Sequence, residues 1–404
     1  MSLPVHFAAS VSALKPWWRS VIRALCGLGV GFVLWAEPAR AATQSEGENL
    51  APAARAVSQL INCTPTGDGP ALRVSAATRN VYCARMAAMS QRFLRRFEQL
   101  EKPLLNQVVP QGADLPVVYP FGGGDLLTAL GTYPNAKEIT TLSLEASGNV
   151  RAAANASKEK LEIALVQAGD NLRRLVAVEH SKTTNLSNLS QSPLPAEIVF
   201  SLYALHVWGF EPVGFRYFQI EPNGGLNYLT SADLQQRDLQ AQRRVRLASL
   251  ANIEVQYKRP GETIVRVFRH IAADLSDAQL KKDNRVLQHL RAKLKFLAMT
   301  KAASYLLWWD SFSMIRQTLA DGAVFMISDS TGFPPAFAKA QGFSQTTYGQ
   351  FHGPFLSQVN RQVGQAFIQL WQSQPHRPLP FRYGYPDRDR HGHMLVSKRE
   401  TANR

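Results

Sequence analysis

Cysteine is scarce in this 404-residue chain, which has three, at positions 26, 63 and 83, and no histidine lies between residues 42 and 179. A zinc knuckle around Cys63 and Cys83 is therefore excluded, because the segment supplies two ligands where a structural zinc site takes four. No apolar run approaches the roughly 20 residues that span a bilayer as a helix. No Gly-x-Ser-x-Gly elbow occurs, so the commonest serine-hydrolase signature is missing. Internal repeats and basic stripes interleaved with aromatics are also absent, so neither a solenoid nor a recognisable nucleic-acid motif is indicated.

What the first forty residues do contain is an export pattern. Lys15, Arg19 and Arg23 precede a twelve-residue apolar core, Ala24 to Trp35, and Ala39 and Ala41 then supply a small-x-small cleavage site. Three glycines in that core disfavour a stable soluble helix. The reading is a signal peptide over residues 1–41 and a periplasmic or secreted mature chain. Cleavage would take away Cys26, four cations and one anion, lowering the formal charge from +15 to +12. So basic a protein favours anionic envelope components such as lipid head groups, acidic polysaccharide or released nucleic acid. Cys63 and Cys83 then remain as the pair that an oxidising compartment would close into one disulfide.

Hydrophobic spacing places a helical segment over residues 42–112 and a single α/β domain over 113–395, with 396–404 left as a flexible tail. Met86, Met89, Phe93, Phe97, Leu100 and Leu104 mark an amphipathic helix. Val117 to Phe121, a glycine loop, a helix over 126–133 and an apolar run over 138–145 make one strand–loop–helix–strand unit. Turn residues at 221–225 and 259–262 predict two antiparallel hairpins, and 196–209 reads as a helix. Helices are expected over 274–290, 301–309 and 312–319, followed by a strand ending at Asp329. The sum is a mixed, mostly parallel Rossmann-like sheet with antiparallel hairpins and helices on both faces.

Two loops draw attention. Gly122, Gly123 and Gly124 stand between a strand and a helix, where backbone amides would approach an anion, and Glu145 ends the next strand, where a carboxylate would hold a ribose. The competing reading is a tight turn with Asp125 as helix N-cap. The second loop is Asp329-Ser-Thr-Gly-Phe-Pro334. If the two strands are neighbours, Asp125 and Asp329 would face one crevice and serve as a catalytic acid–base pair. His391-Gly-His393 beside Asp387 and Asp389 would ligate a metal if a third ligand came from elsewhere, but reads rather as a solvated tail, and no metal site is assigned.

Val118-Tyr-Pro-Phe-Gly-Gly-Gly-Asp125, Lys301-Ala-Ala-Ser-Tyr-Leu-Leu307 and Asp329-Ser-Thr-Gly-Phe-Pro334 resemble a group of uncharacterised exported bacterial proteins. That group carries Tyr-Pro-Phe-x-Gly-x-Asp, Lys-x-x-Ser-Tyr-Leu and Asp-Ser-x-Gly-x-Pro motifs in this order. The likeness spans most of 115–395 and implies export and one continuous domain, without implying an activity. More narrowly, residues 118–145 are similar to motif I of Rossmann-type methyltransferases, with Pro120 where those enzymes carry an acid. Three functions follow as expectations: a ligand-binding or structural envelope protein, an envelope hydrolase or transferase using Asp125 and Asp329, and a degenerate methyltransferase-like fold. No cofactor is specified.

Overall fold

Helices come first. The structure, a computed structural model, describes residues 46–65, 73–110, 114–181, 192–242, 250–357 and 359–400. The expected signal peptide and its cleavage site fall outside these residues. Helix α1 (Ala51–Ile61) is followed by α2 (Ala76–Arg96), whose Ser75 hydroxyl accepts from the Thr78 amide as an N-cap, then by a π turn (Phe97–Glu101) and α3 (Lys102–Val108). Cys63, between α1 and α2, lies at disulfide distance from Cys83 on α2, with Cα atoms 5.6 Å apart.

The first strand–helix–strand unit is β1 (Val117–Tyr119), α4 (Leu126–Thr132) and β2 (Glu138–Ser143). Next come α5 (Lys158–Val178), α6 (Ala196–Val207), the hairpin β3 (Glu211–Ile220) and β4 (Leu226–Tyr228), and α7 (Ser231–Gln242). Strands β5 (Asn252–Lys258) and β6 (Arg266–Ala272) form the second hairpin, followed by short helices α8 (Asp277–Leu280) and α9 (Arg285–Arg291). The rest is β7 (Phe296–Thr300), α10 (Ser313–Gly322), β8 (Ala323–Ser328), α11 (Pro335–Ala340), β9 (Phe343–Gly349), α12 (Arg361–Gln372) and β10 (His393–Arg399).

All ten strands join one sheet in the order β4-β3-β5-β6-β2-β1-β7-β8-β10-β9. The expected mixed α/β fold is present, with its parallel part confined to the five central strands, β6 to β8, and antiparallel strands on both sides. Strands β1, β7 and the middle of β2 are buried on both faces, as parallel strands sandwiched between helices must be, although β2 carries Thr140 and Thr141 there. The chain runs from β1 to β2 on one side and later to β7 on the other. A switch point therefore lies between β1 and β7, the position where doubly wound sheets open a crevice at the carboxyl ends of their strands.

Three expectations need correction. Residues 396–400 are not a flexible tail: β10 lies between β8 and β9, with Met394 to Ser397 buried, and His393 is fully buried rather than solvated. Residues 301–309 do not form the expected helix, and only Leu306–Trp308 makes a short 3-10 turn. Phe296 to Thr300 is instead the strand β7, and Ala302, Ser304 and Tyr305 after it take left-handed φ values of 50–59°, which a helix does not tolerate. The boundary near 112 is not a break in packing either. The Glu48 and Leu50 amides donate to the Leu229 and Phe215 carbonyls, and α1 and α2 share one core with α5, α6 and β3.

No helix among the described residues is long and apolar enough to cross a membrane. Opening the bridge with Cys63→Ser is expected to lower unfolding stability by about 3 kcal/mol, from the entropy regained by a loop of roughly 20 residues. Denaturant titration of the variant, and of the wild type under reductant, checks this.

Candidate functional site at the carboxyl edge of the sheet

The carboxyl ends of β1, β7 and β8 bring Asp125, Lys301 and Asp329 together. Lys301, the residue after β7, is fully buried, and the carboxylates of Asp125, Glu101 and Asp329 counter the burial that draws its pKa down. Its ammonium stands 5.3 Å from the centre of the Tyr383 ring. The two acids expected to meet are thus brought together, around a cation that the sequence reading had placed in a helix.

Neither acid has a face left for a substrate. Asp329 is wholly buried and accepts from four donors: the Ala302 amide at 2.8 Å, the Tyr385 amide at 2.8 Å, and the amide and hydroxyl of Thr331. Gly384, with φ of +71°, permits this approach, since a Cβ there would stand 2.2 Å from the Asp329 carboxylate. Asp125 accepts from the Tyr119 hydroxyl at 2.8 Å and from the Ser181 amide. Burial raises its pKa to about 6, opposed by Lys301 and these hydrogen bonds. Asp125 occupies the N-cap position of α4 as expected, but its side chain makes no cap bond and turns to Tyr119 and Ser181 instead. The expected acid–base pair is thereby revised: acid–base partners must reach the substrate, and these carboxylates are enclosed by their own chain.

The glycine loop is closed as well. The Gly122 and Gly123 amides donate to the Tyr119 and Leu142 carbonyls, so those amides are spent within the chain. Phe200 of α6 packs on Gly124, where a Cβ would come 2.4 Å from its ring. The loop shows the tight turn rather than an anion cradle, which corrects the expectation that Gly122, Gly123 and Gly124 bind a cofactor. Glu145 ends near β2 as expected, with Oε1 buried and unpartnered. It faces Glu197 of α6, whose two oxygens are buried without hydrogen-bond partners, and His270 of β6. His270 Nδ1 lies 3.7 Å from Glu197, and burial lowers its pKa to about 4, so it is neutral at pH 7. Burial, reinforced by Glu145 and Asp125, pushes Glu197 well above the usual carboxylate range.

The carboxyl edge is also where the backbone departs most from ordinary geometry. Phe121, Ala302, Ser304, Tyr305 and Arg390, all on its loops, have left-handed φ. Such conformations cost of order 1–3 kcal/mol each and persist where surrounding contacts impose them. Here those contacts are the hydrogen bonds to Asp329 and the Tyr305 hydroxyl, which accepts from the Phe355 amide at 2.9 Å.

An open cavity lies elsewhere. A groove of about 1060 Å³ runs between α2 and α5, with Val81, Tyr82, Met86, Met89, Phe93 and Val166 along it. Val81 and Val166 are 60% and 46% exposed, uncommon values for apolar side chains that share one concave surface. Arg85, Arg92 and Arg173 stand at its rim. Arg173 is near Asp170, whereas Arg85 and Arg92 have no carboxylate partner among the described residues. The apolar stripe of α2 is the one that marks an amphipathic helix in the sequence, and part of it faces this groove. The exposed Val81 and the paired helix α5 were the missing signals. No protein-family model matches the chain, and neither curated proteins nor solved structures resemble it significantly.

Two outcomes test this reading of the buried groups. Lys301→Met leaves three carboxylates around a position that has lost its cation, and is expected to cost about 3–5 kcal/mol of stability in denaturant titration. Glu197 has a folded pKa above its unfolded value. The stability it permits is full below about pH 4.5 and declines as pH rises, by up to about 1.4 kcal/mol per pH unit, until the folded group ionises. Glu197→Gln should therefore melt above wild type at pH 8, with the gap narrowing towards pH 4.

Proposed function

We propose that this chain is an exported binding protein that takes an acyl chain bearing an anionic head into the groove between α2 and α5. The observation that carries the reading is that apolar groove, at the upper end of the size range of small-ligand sites and lined in part by Arg85 and Arg92, which have no carboxylate partner among the described residues. An acyl chain would remove exposed Val81 and Val166 and half-buried Met89 from water, worth about 0.8 kcal/mol per buried methylene, while its head meets Arg85 or Arg92. The net positive charge acts in the same direction by drawing anions to the surface. Export is supported by the N-terminal pattern, by the Cys63–Cys83 pair and by the absence of a membrane-spanning helix among the described residues.

The buried Asp125, Lys301 and Asp329 act in this reading as a structural clamp, so no hydrolase or transferase chemistry is assigned to them. The resemblance to methyltransferase motif I fits the order of the parallel strands, in which β6, β2, β1, β7 and β8 stand third, second, first, fourth and fifth along the chain's parallel path. Phe200 on Gly124 speaks for a fold of that kind without its nucleoside site.

Titration with oleate and with uncharged oleyl alcohol tests the proposal. Oleate is expected to saturate one site, and Val166→Asp, at an exposed position that leaves the core intact, should weaken it at least about tenfold. Arg92→Glu should weaken oleate but spare the alcohol. Failure of oleate to saturate, or its undiminished binding to the Val166→Asp protein, would overturn the proposal.

A further inference from the structure

A second constellation lies on the same carboxyl edge of the sheet, outside the groove and the buried clamp. His352 follows β9, and Asp387, Asp389 and His391 precede β10. These strands pair antiparallel with His393 opposite Gly349, and the Gln350 amide donates to the Gly392 carbonyl at 3.1 Å. That register brings together side chains about 40 positions apart in the sequence. One donor atom from each of the four residues lies within 4.8 Å of the others.

Both imidazoles turn Nδ1 inward. His352 Nδ1 is 3.0 Å from Asp389 Oδ2 and 3.7 Å from Asp387 Oδ2, and His391 Nδ1 is 3.2 Å from the same Asp387 oxygen. Asp387 is fully buried and held from behind, its carboxylate accepting from the His352 amide at 2.9 Å and the His391 amide at 2.7 Å. One carboxylate oxygen is therefore fixed between two imidazoles whose outer halves are in solvent. The His352 and His391 side chains are 47% and 41% exposed.

Four donors on a tetrahedron around an ion at about 2.0–2.2 Å are roughly 3.3–3.5 Å apart. The separations of 3.0, 3.2 and 3.7 Å bracket that edge, and atoms as far as 4.8 Å apart have to close by about 1.3 Å for four-coordination. Two nitrogens and two carboxylate oxygens suit a borderline divalent ion better than calcium or magnesium, which prefer all-oxygen shells. Among the described residues the cation paired with this cluster is Arg388, whose guanidinium reaches Asp389 from 3.2 Å on the surface. An exposed pair of that kind is worth at most about 1 kcal/mol, so Arg388 can swing aside.

We propose that His352, Asp387, Asp389 and His391 bind one divalent ion of the zinc class. The ion joins the loop after β9 to the loop before β10 and thereby fastens the last strand into the sheet. It sits beside the Asp329 loop, since His393, two residues on from His391, is within hydrogen-bonding distance, 2.9 Å, of the Ser330 hydroxyl.

Untagged protein stripped with a chelator, then titrated calorimetrically with zinc chloride, provides the test. One zinc per chain with a dissociation constant below about 10 µM is expected, together with a higher melting temperature. His352→Ala and His391→Ala alter half-exposed side chains, so the protein should stay folded by circular dichroism while losing the site and the zinc-dependent rise in melting temperature. His376→Ala, at an exposed histidine remote from the cluster in sequence, should bind as wild type does. Absence of saturable binding, equal binding by the His352 and His391 variants, or saturation by magnesium in preference to zinc would overturn the proposal.

Discussion

A lysine that cannot reach water organises this molecule. Lys301 ends β7 at the switch point of the sheet, and its charge has to be met inside the protein because moving it into a low-dielectric interior uncompensated costs several kcal/mol. Asp125 from the loop after β1, Asp329 from the end of β8 and Glu101 from the π turn meet it. The ends of three neighbouring strands and the N-terminal helical layer are therefore tied to one point. The left-handed residues around that point follow: Ala302 and Tyr385 must present amides to Asp329, and the backbone bends to let them.

The sequence discloses local features well and long-range ones poorly. The glycine loop, both hairpins and the Cys63–Cys83 pair are visible because their signals, turn residues and alternating apolar positions, are contained within about 20 residues. Strand β7 is not visible. Phe-Leu-Ala-Met-Thr300 is a short apolar run without Gly or Pro beside it, and such runs read equally well as helix until their neighbours β1 and β8 are known. Lys301 stands in a motif, but its burial between acids is not legible there. Asp125 and Asp329 both act on that lysine, and their enclosure depends on Gly384, Tyr385 and Ser181, which are distant in sequence and carry no motif. His352 and His391 are likewise joined only through the register of β9 on β10.

The groove and the clamp illustrate two ways of handling polarity. At the clamp, every charged group is placed opposite a donor or an opposite charge, and the reward is a fixed geometry. Along α2 and α5 the arrangement is reversed: apolar side chains are left in water, and Arg85 and Arg92 beside them have no carboxylate partner among the described residues. An interior tolerates almost no unmet polarity, whereas an exposed surface can leave apolar area and charge unmet at a cost small enough to be recovered on binding.

The position of β10 bears on how the molecule assembles. This last strand lies inside the sheet, between β8 and β9, so β9 has no sheet partner until residues 393–399 arrive. A chain emerging from its N-terminus can build the layers around β1 and β2 early, but β9 then waits as an unpaired edge. Closing that gap pairs residues more than 60 positions apart, from Phe325 to Lys398, which makes completion of the sheet a late and slow event. A topology of this kind keeps a newly made polypeptide loose at one end for longer, and leaves β9 open to a wrong partner until β10 takes its place.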